Sequence, residues 1–177
     1  MAAHRSRKIK VNPAPVSGNR PDLAPLAQKC KLPFVRIPWN DRAQAEVRAL
    51  RLLEEHEFDF VVLARVMKIL PPNFVWRFNN KTLNIHPSWQ PSFPGPQACR
   101  QADESGVKIA GVTTHFVSMR LDEAPIIAQG SFQIRPGMTL KDIIARGRQL
   151  EAEGLVKAVK LYPGKRLDFY SGVAKEV

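Results

Sequence analysis

Three residues of this chain have the types that moving a one-carbon acyl group requires: the amide of Asn84, the imidazole of His86 and the carboxylate of Asp122. The first two stand in Asn84-Ile85-His86-Pro87-Ser88, which runs into Pro91-Ser92-Phe93-Pro94-Gly95; the third stands in Leu121-Asp122-Glu123-Ala124-Pro125. An amide and an imidazole donate hydrogen bonds to charge developing on a carbonyl oxygen, and a carboxylate holds or accepts a proton. Each group lies where an apolar, strand-like run gives way to a loop. An N-x-H at a strand end, taken alone, also serves to cap backbone groups.

The elements that must position these residues alternate between strand-like and helical patterns. Phe58 to Ala64 is almost continuously apolar and reads as a buried strand. Pro71-Pro72 opens a short helix carrying Phe74, Val75 and Phe78, since proline is tolerated in a first turn where its missing N–H would be unpaired anyway. Lys81 to Ile85 is the next strand, and the proline-rich Pro87 to Pro96 that follows is a shaped loop. A helix around Gln97 to Glu104 leads to two extended runs, Val107 to Ser118 and Ile126 to Ile134, on either side of the Leu121-to-Pro125 turn. Thr139 with Asp142 three positions on marks a capping box for a long helix to Lys160, and Arg166 to Tyr170 is a last short strand.

Upstream, a helix from Pro21-Asp22 to Lys29 precedes a strand in Pro33 to Pro38. Asp41 then caps a helix with Ala43, Val47, Leu50 and Leu53 on its apolar face. The alternation predicts an α/β fold with a mainly parallel sheet and helices on both faces. In such sheets ligands bind beyond the carboxyl ends of the strands, which is where Asn84 and His86 fall.

At 177 residues and 44% hydrophobic, the chain suits one sizeable core and a single domain, residues 17–177, behind a basic leader, residues 1–16. Cys30 and Cys99 form neither a metal spacing nor a disulfide framework, so both are expected to be structural, in a reducing compartment, and no metal is expected. No apolar run approaches the roughly 18 residues that span a bilayer, and no signal-peptide core follows the basic start, so no membrane partner is expected. Lys and Arg number 27 against 16 Asp and Glu, a net charge of +11. Arg5, Arg7, Lys8, Lys10 and Arg20 carry part of this excess, with no acid among them. Such a leader contacts nucleic acid, addresses an organelle or is simply solvated, and charge alone leaves the three open. The expected location is the cytoplasm, or a mitochondrial or plastid matrix if the leader is a targeting segment.

Together these residues resemble the formyltetrahydrofolate-dependent formyltransferases and hydrolases. The likeness covers residues 17 to 160 and rests on N-I-H-P-S with P-S-F-P-G, on T-T-H-F-V and on L-D-E-A-P-I-I. It implies a doubly wound, formyltransferase-like Rossmann variant, formyltetrahydrofolate as substrate and formyl donor, and Asn84, His86 and Asp122 as the catalytic set. Attack on the formyl carbon makes a tetrahedral oxyanion, to which Asn84 and His86 would donate. Asp122, facing His86, would favour the imidazolium and accept a proton from the attacking amine or water. The resemblance also implies folate contacts from Met67, Lys68, Ile69 and Leu70, through backbone groups at the pterin edge, and from Gly95. The side chains of Met67, Ile69 and Leu70 read equally well as ordinary core. His115, in the alternating Thr113-Thr114-His115-Phe116-Val117, matches a histidine that borders the family's active site, and a satisfied core histidine is the other reading.

Within the family, Ser17-Gly18-Asn19-Arg20-Pro21-Asp22-Leu23 resembles the S-N-H-P-D-L turn of formyltetrahydrofolate deformylases, whose nucleophile is water. The glycine-rich phosphate turn of glycinamide ribonucleotide formyltransferases is not found, although His86-Pro87-Ser88 is closer to those enzymes. Ala124 replaces the glycine usual after L-D-E. The resemblance further implies that the usual first strand and a preceding regulatory domain are missing, and Pro13 and Pro15 make Lys8 to Pro15 a poor central strand. An oligomer or a partner chain is therefore expected to complete the sheet. Two functions follow: deformylase-like hydrolysis (or transfer) of the formyl group, or an inactive formyltransferase-fold subunit of a larger, RNA-containing assembly such as an organellar ribosome. The intact Asn84, His86 and Asp122 set favours the enzyme.

Overall fold

The computed structural model describes residues 9–64, 66, 70–88, 98–119, 124–164, 166–170 and 173–177. The chain divides into two compact units, Met1–Asp59 and Phe60–Val177.

In the first unit, β1 (Val16–Gly18) and β2 (Phe34–Arg36) pair parallel, with Val16 opposite Phe34 and Gly18 opposite Arg36. A 3-10 turn, Pro21–Leu23, and α1 (Ala24–Lys29) join them, each with proline in its first turn. α1 closes as a Schellman motif: the Leu32 amide donates to the Ala27 carbonyl at 3.0 Å and the Lys31 amide to that of Gln28 at 2.9 Å. Lys31 holds the left-handed position, at φ 56°, that glycine usually fills. α2 (Arg42–Glu54) starts at Asp41, whose carboxylate accepts from the Gln44 amide at 3.1 Å. Leu50 and Leu53 are half-buried as the pattern predicts, but Ala43 is exposed and Val47 is 57% exposed. Ala45 takes the buried place instead, followed on the same face by Ala49 and Leu52.

The second unit is built on a four-stranded sheet in the order β3 (Val61–Leu63), β4 (Thr82–His86), β5 (Ile109–Phe116), β6 (Ile126–Gln133). β3 and β4 run parallel, joined through α3 (Pro72–Arg77), with Leu63 opposite Asn84. β4 and β5 are joined through α4 (Ala98–Glu104) and pair antiparallel, as do β5 and β6, whose short connection permits nothing else. Antiparallel strands at one side of a doubly wound sheet are common. β3 is the sheet's edge strand among the described residues, and Val62 is 39% exposed, so the apolar run is not covered on both faces as its sequence suggests.

α5 (Leu140–Leu161) packs on β4, β5 and β6. Its start is the expected capping box: Thr139 Oγ1 accepts from the Asp142 amide at 3.3 Å, and Asp142 Oδ2 accepts from the Thr139 amide at 2.9 Å. Leu150 from the helix meets Ile85 and Val112 from the sheet, with Phe132 and Leu155 against them. Two glycines permit that approach. A Cβ on Gly130 would lie 3.0 Å from Leu150 Cδ1, and one on Gly154 would lie 3.0 Å from Thr114 Oγ1. Leu83 and Phe116 are fully buried, and the Phe116 ring lies 5.7 Å from that of Tyr162. β7 (Leu167–Tyr170) and β8 (Val173–Glu176) form a closing hairpin, tied to α5 by Lys157 and Glu176 at 3.3 Å. No helix among the described residues is long and apolar enough to cross a membrane.

Candidate active site

The sheet of the second unit has one apolar and one polar face, and strand alternation sorts the residues between them. Leu83 and Ile85 of β4, with Val112, Thr114 and Phe116 of β5, share one face, and Ile85 and Val112 meet Leu150 of α5 there. Asn84 and His86 therefore leave β4 on the other face, two residues apart. The register sets Asn84 opposite His115 and His86 opposite Thr113, and β6 adds Gln129 opposite Thr113. The result is a polar stripe across three strands.

The stripe is bonded within itself. Asn84 Nδ2 lies 3.3 Å from His115 Nε2, and His115 Nδ1 lies 2.6 Å from the Phe116 carbonyl oxygen. Thr113 Oγ1 donates to the Ser88 carbonyl at 2.8 Å and accepts from Gln129 Nε2 at 3.2 Å. The chain leaving His86 is thus fastened to β5 within two residues of the imidazole. His86 is 7% exposed, His115 4%, and Asn84 is half-buried. The β5–β6 ladder shifts register between Thr114 and His115, while the β4–β5 ladder that pairs Asn84 with His115 is regular.

Of the candidate residues, Asn84, His86 and His115 are brought to one face, and Leu70 lies half-buried just ahead of α3. Asp122, Met67, Lys68, Ile69 and Gly95 lie outside the described residues. Thr113, Gln129 and the Ser88 carbonyl also belong to the stripe; Thr113 and Ser88 stand in the T-T-H-F-V and N-I-H-P-S motifs, and Gln129 lies in neither. The signal for Thr113 was its parity with His115 in an alternating strand; Gln129 had none, because only the β5–β6 register places it. Among the described residues no group of three or more His, Cys, Asp or Glu could hold a metal ion. Cys99 stands apart from the stripe on α4; burial first, then Glu151, pushes its thiol above its ordinary range, against a smaller opposite effect of Arg148. A thiol held protonated in this way is a poor nucleophile.

β3 and β4 form a parallel crossover, and Asn84 and His86 stand at the carboxyl end of β4, where doubly wound α/β folds bind their ligands. Residues 2–159 match the family model described as formyl transferase, and the chain belongs to that family. It is 36% identical over 168 residues to the formyltetrahydrofolate deformylase of Synechocystis sp., covering 94% of this chain and 59% of that one. To the formyltetrahydrofolate deformylase of Escherichia coli it is 35% identical over 164 residues, 92% of this chain and 59% of that one. The chain thus spans 59% of the length of these relatives. Among solved structures, a formyltetrahydrofolate deformylase from Pseudomonas syringae superposes with a TM-score of 0.95 at 29% identity, over 99% of this chain and 59% of that one. Glycinamide ribonucleotide transformylase 1 from Symbiobacterium toebii gives 0.92 at 30% identity, over 99% of this chain and 85% of that one. The formyltransferase-like Rossmann fold expected from the sequence is borne out.

Proposed function

We propose that this chain hydrolyses the formyl group of formyltetrahydrofolate, with residues 17–177 as the catalytic domain and residues 1–16 as a basic leader outside the chemistry. The observation that carries the reading is the pairing of Asn84 and His86 on the polar face of β4, with the Asn84 amide anchored to His115 at 3.3 Å. Two hydrogen-bond donors held on one sheet face, His86 buried and Asn84 half-buried, suit an oxyanion, because they need not reorganise when the charge forms. Water attacks the formyl carbon, its second proton passes to the folate nitrogen, and the carbon–nitrogen bond breaks to release formate and tetrahydrofolate. Asn84 Nδ2 and the His86 ring donate to the oxyanion, and Asp122 accepts the proton from water and supports a charged His86.

Val117 N donates to the Thr82 carbonyl at 2.9 Å and Phe116 N to the Pro125 carbonyl at 3.0 Å, so both ends of the connection that carries Asp122 are tied to the sheet of β4 and β5. Met67, Lys68, Ile69, Leu70 and Gly95 supply the folate contacts in this reading. β3 is an end strand of its sheet among the described residues, and in this reading an oligomer or a partner chain supplies a further strand.

A second reading, transfer of the formyl group to an amine, is favoured by the similarity to the transformylase, of which the chain covers 85%. Incubation of the purified chain with formyltetrahydrofolate separates the two. Formate release in water supports hydrolysis, release only in the presence of glycinamide ribonucleotide supports transfer, and neither from a folded sample contradicts both.

A further inference from the structure

We infer that His115 is a positioning residue: as its Nδ1-protonated neutral tautomer it orients the Asn84 amide so that an N–H of that amide is presented to substrate. The inference concerns the hydrogen positions of a buried pair, and two heavy-atom distances constrain them. His115 Nδ1 is 2.6 Å from the Phe116 carbonyl oxygen. A carbonyl has no hydrogen to give, so the bond exists only if Nδ1 carries the proton. The other ring nitrogen, Nε2, lies 3.3 Å from Asn84 Nδ2. An amide nitrogen has hydrogens to give and no lone pair with which to accept, so Nε2 is the acceptor and the ring is neutral.

The amide is therefore held one way round. One of its hydrogens goes to His115, and the other, about 120° away in the plane of the amide, remains available for an acceptor on the polar face. Orientation is the property an oxyanion donor needs, since an amide free to rotate would present oxygen as often as nitrogen. The surroundings hold the ring: His115 is 4% exposed, it faces Asn84 directly across the ladder, and the Thr113 hydroxyl beside it is bonded to Ser88 and Gln129. The tautomer stands on geometry alone, and its catalytic consequence rests on the function proposed above.

The test has two arms. Long-range ¹H–¹⁵N spectra of the full ¹⁵N-labelled chain report the tautomer of each histidine directly; a protonated Nδ1 and bare Nε2 at His115 are expected, and a protonated Nε2 overturns the inference. In the kinetic arm, His115→Phe removes the lone pair and His115→Gln restores an acceptor. The expected result is a fall in kcat of about tenfold or more for His115→Phe with KM within about twofold, partly recovered in His115→Gln. Unchanged kcat in a folded His115→Phe overturns the positioning role. If the unsubstituted chain releases no formate, the proposed function fails, and the spectrum still decides the tautomer.

Discussion

Asn84 and His115 stand directly opposite each other on neighbouring antiparallel strands, 31 positions apart in the chain and joined by a 3.3 Å contact between amide nitrogen and ring nitrogen. Neither residue discloses the other in the sequence. The contact exists because β4 and β5 pair in one register; a slip of one residue would turn one of the pair to the α5 side. If Asn84 supplies an oxyanion donor, Asn84→Ala lowers kcat for formate release by about 10²–10³-fold, with the far-ultraviolet circular dichroism unchanged. A fall of less than about threefold would remove Asn84 from the chemistry.

The face of the sheet opposite the stripe is sensitive to volume at Gly130. A Cβ there would lie 3.0 Å from Leu150 Cδ1 and 3.2 Å from Cγ, tighter than most side-chain contacts, so Leu150 must give by a few tenths of an ångström, and at 8% exposed it has little room to turn. Gly130→Ala is expected to destabilise the fold by about 1–3 kcal/mol, as overpacking does. Urea titration measures it as a lower midpoint at constant slope. In a double-mutant cycle the cost should shrink when Leu150 is shortened to Val.

Thr114 presents the opposite case. It is fully buried against α5, and its Oγ1 has no hydrogen-bond partner among the described residues. An unpaired hydroxyl in that position carries a desolvation penalty, so Thr114→Val should raise stability by about 1 kcal/mol. Thermal unfolding of the two chains checks this, and a lower midpoint for the valine variant would mean the hydroxyl has a role.

The start of α5 links stability to pH. The Thr139 hydroxyl, bonded to Asp142 Oδ2 at 2.7 Å, and then the Thr139 amide hold the Asp142 carboxyl below its ordinary value. A group whose pKa is lower folded than unfolded stabilises the fold above its unfolded pKa, and loses that contribution as pH falls through the folded one. The unfolding midpoint of the unsubstituted chain should therefore exceed that of Asp142→Asn near neutrality, with the gap closing below the ordinary carboxylate range. A gap independent of pH would contradict the capping role.

Local signals were legible and long-range ones were not. Thr139 with Asp142, Asp41 at its cap, proline in the first turn of α3 and the Asn84–His86 parity all act within four residues, where propensity and periodicity operate. Continuous apolarity at Phe58 to Ala64 overstated burial, because it records what β3 could bury and not the edge position it occupies. On α2 the buried face runs through Ala45, Ala49 and Leu52 rather than Ala43 and Val47; Ala43 and Ala45 are the same residue type, so hydropathy does not separate the two faces and packing does. β8 carries no strand signal of its own, because Val173–Glu176 is short and ends in charges, and it forms by pairing with β7. In the site, residue types were readable, while the stripe that joins them depends on a sheet register that no local pattern encodes.

The central claim is that the polar face of β4 performs formyl transfer to water. Its most direct test is formate release from formyltetrahydrofolate by the purified chain, beside His86→Ala and Asp122→Asn. Turnover in the unsubstituted chain, lost by about 10²-fold or more in each variant while all three stay folded, is the predicted result. Turnover that persists in both variants, or a folded chain that neither turns over nor binds the folate, would contradict it.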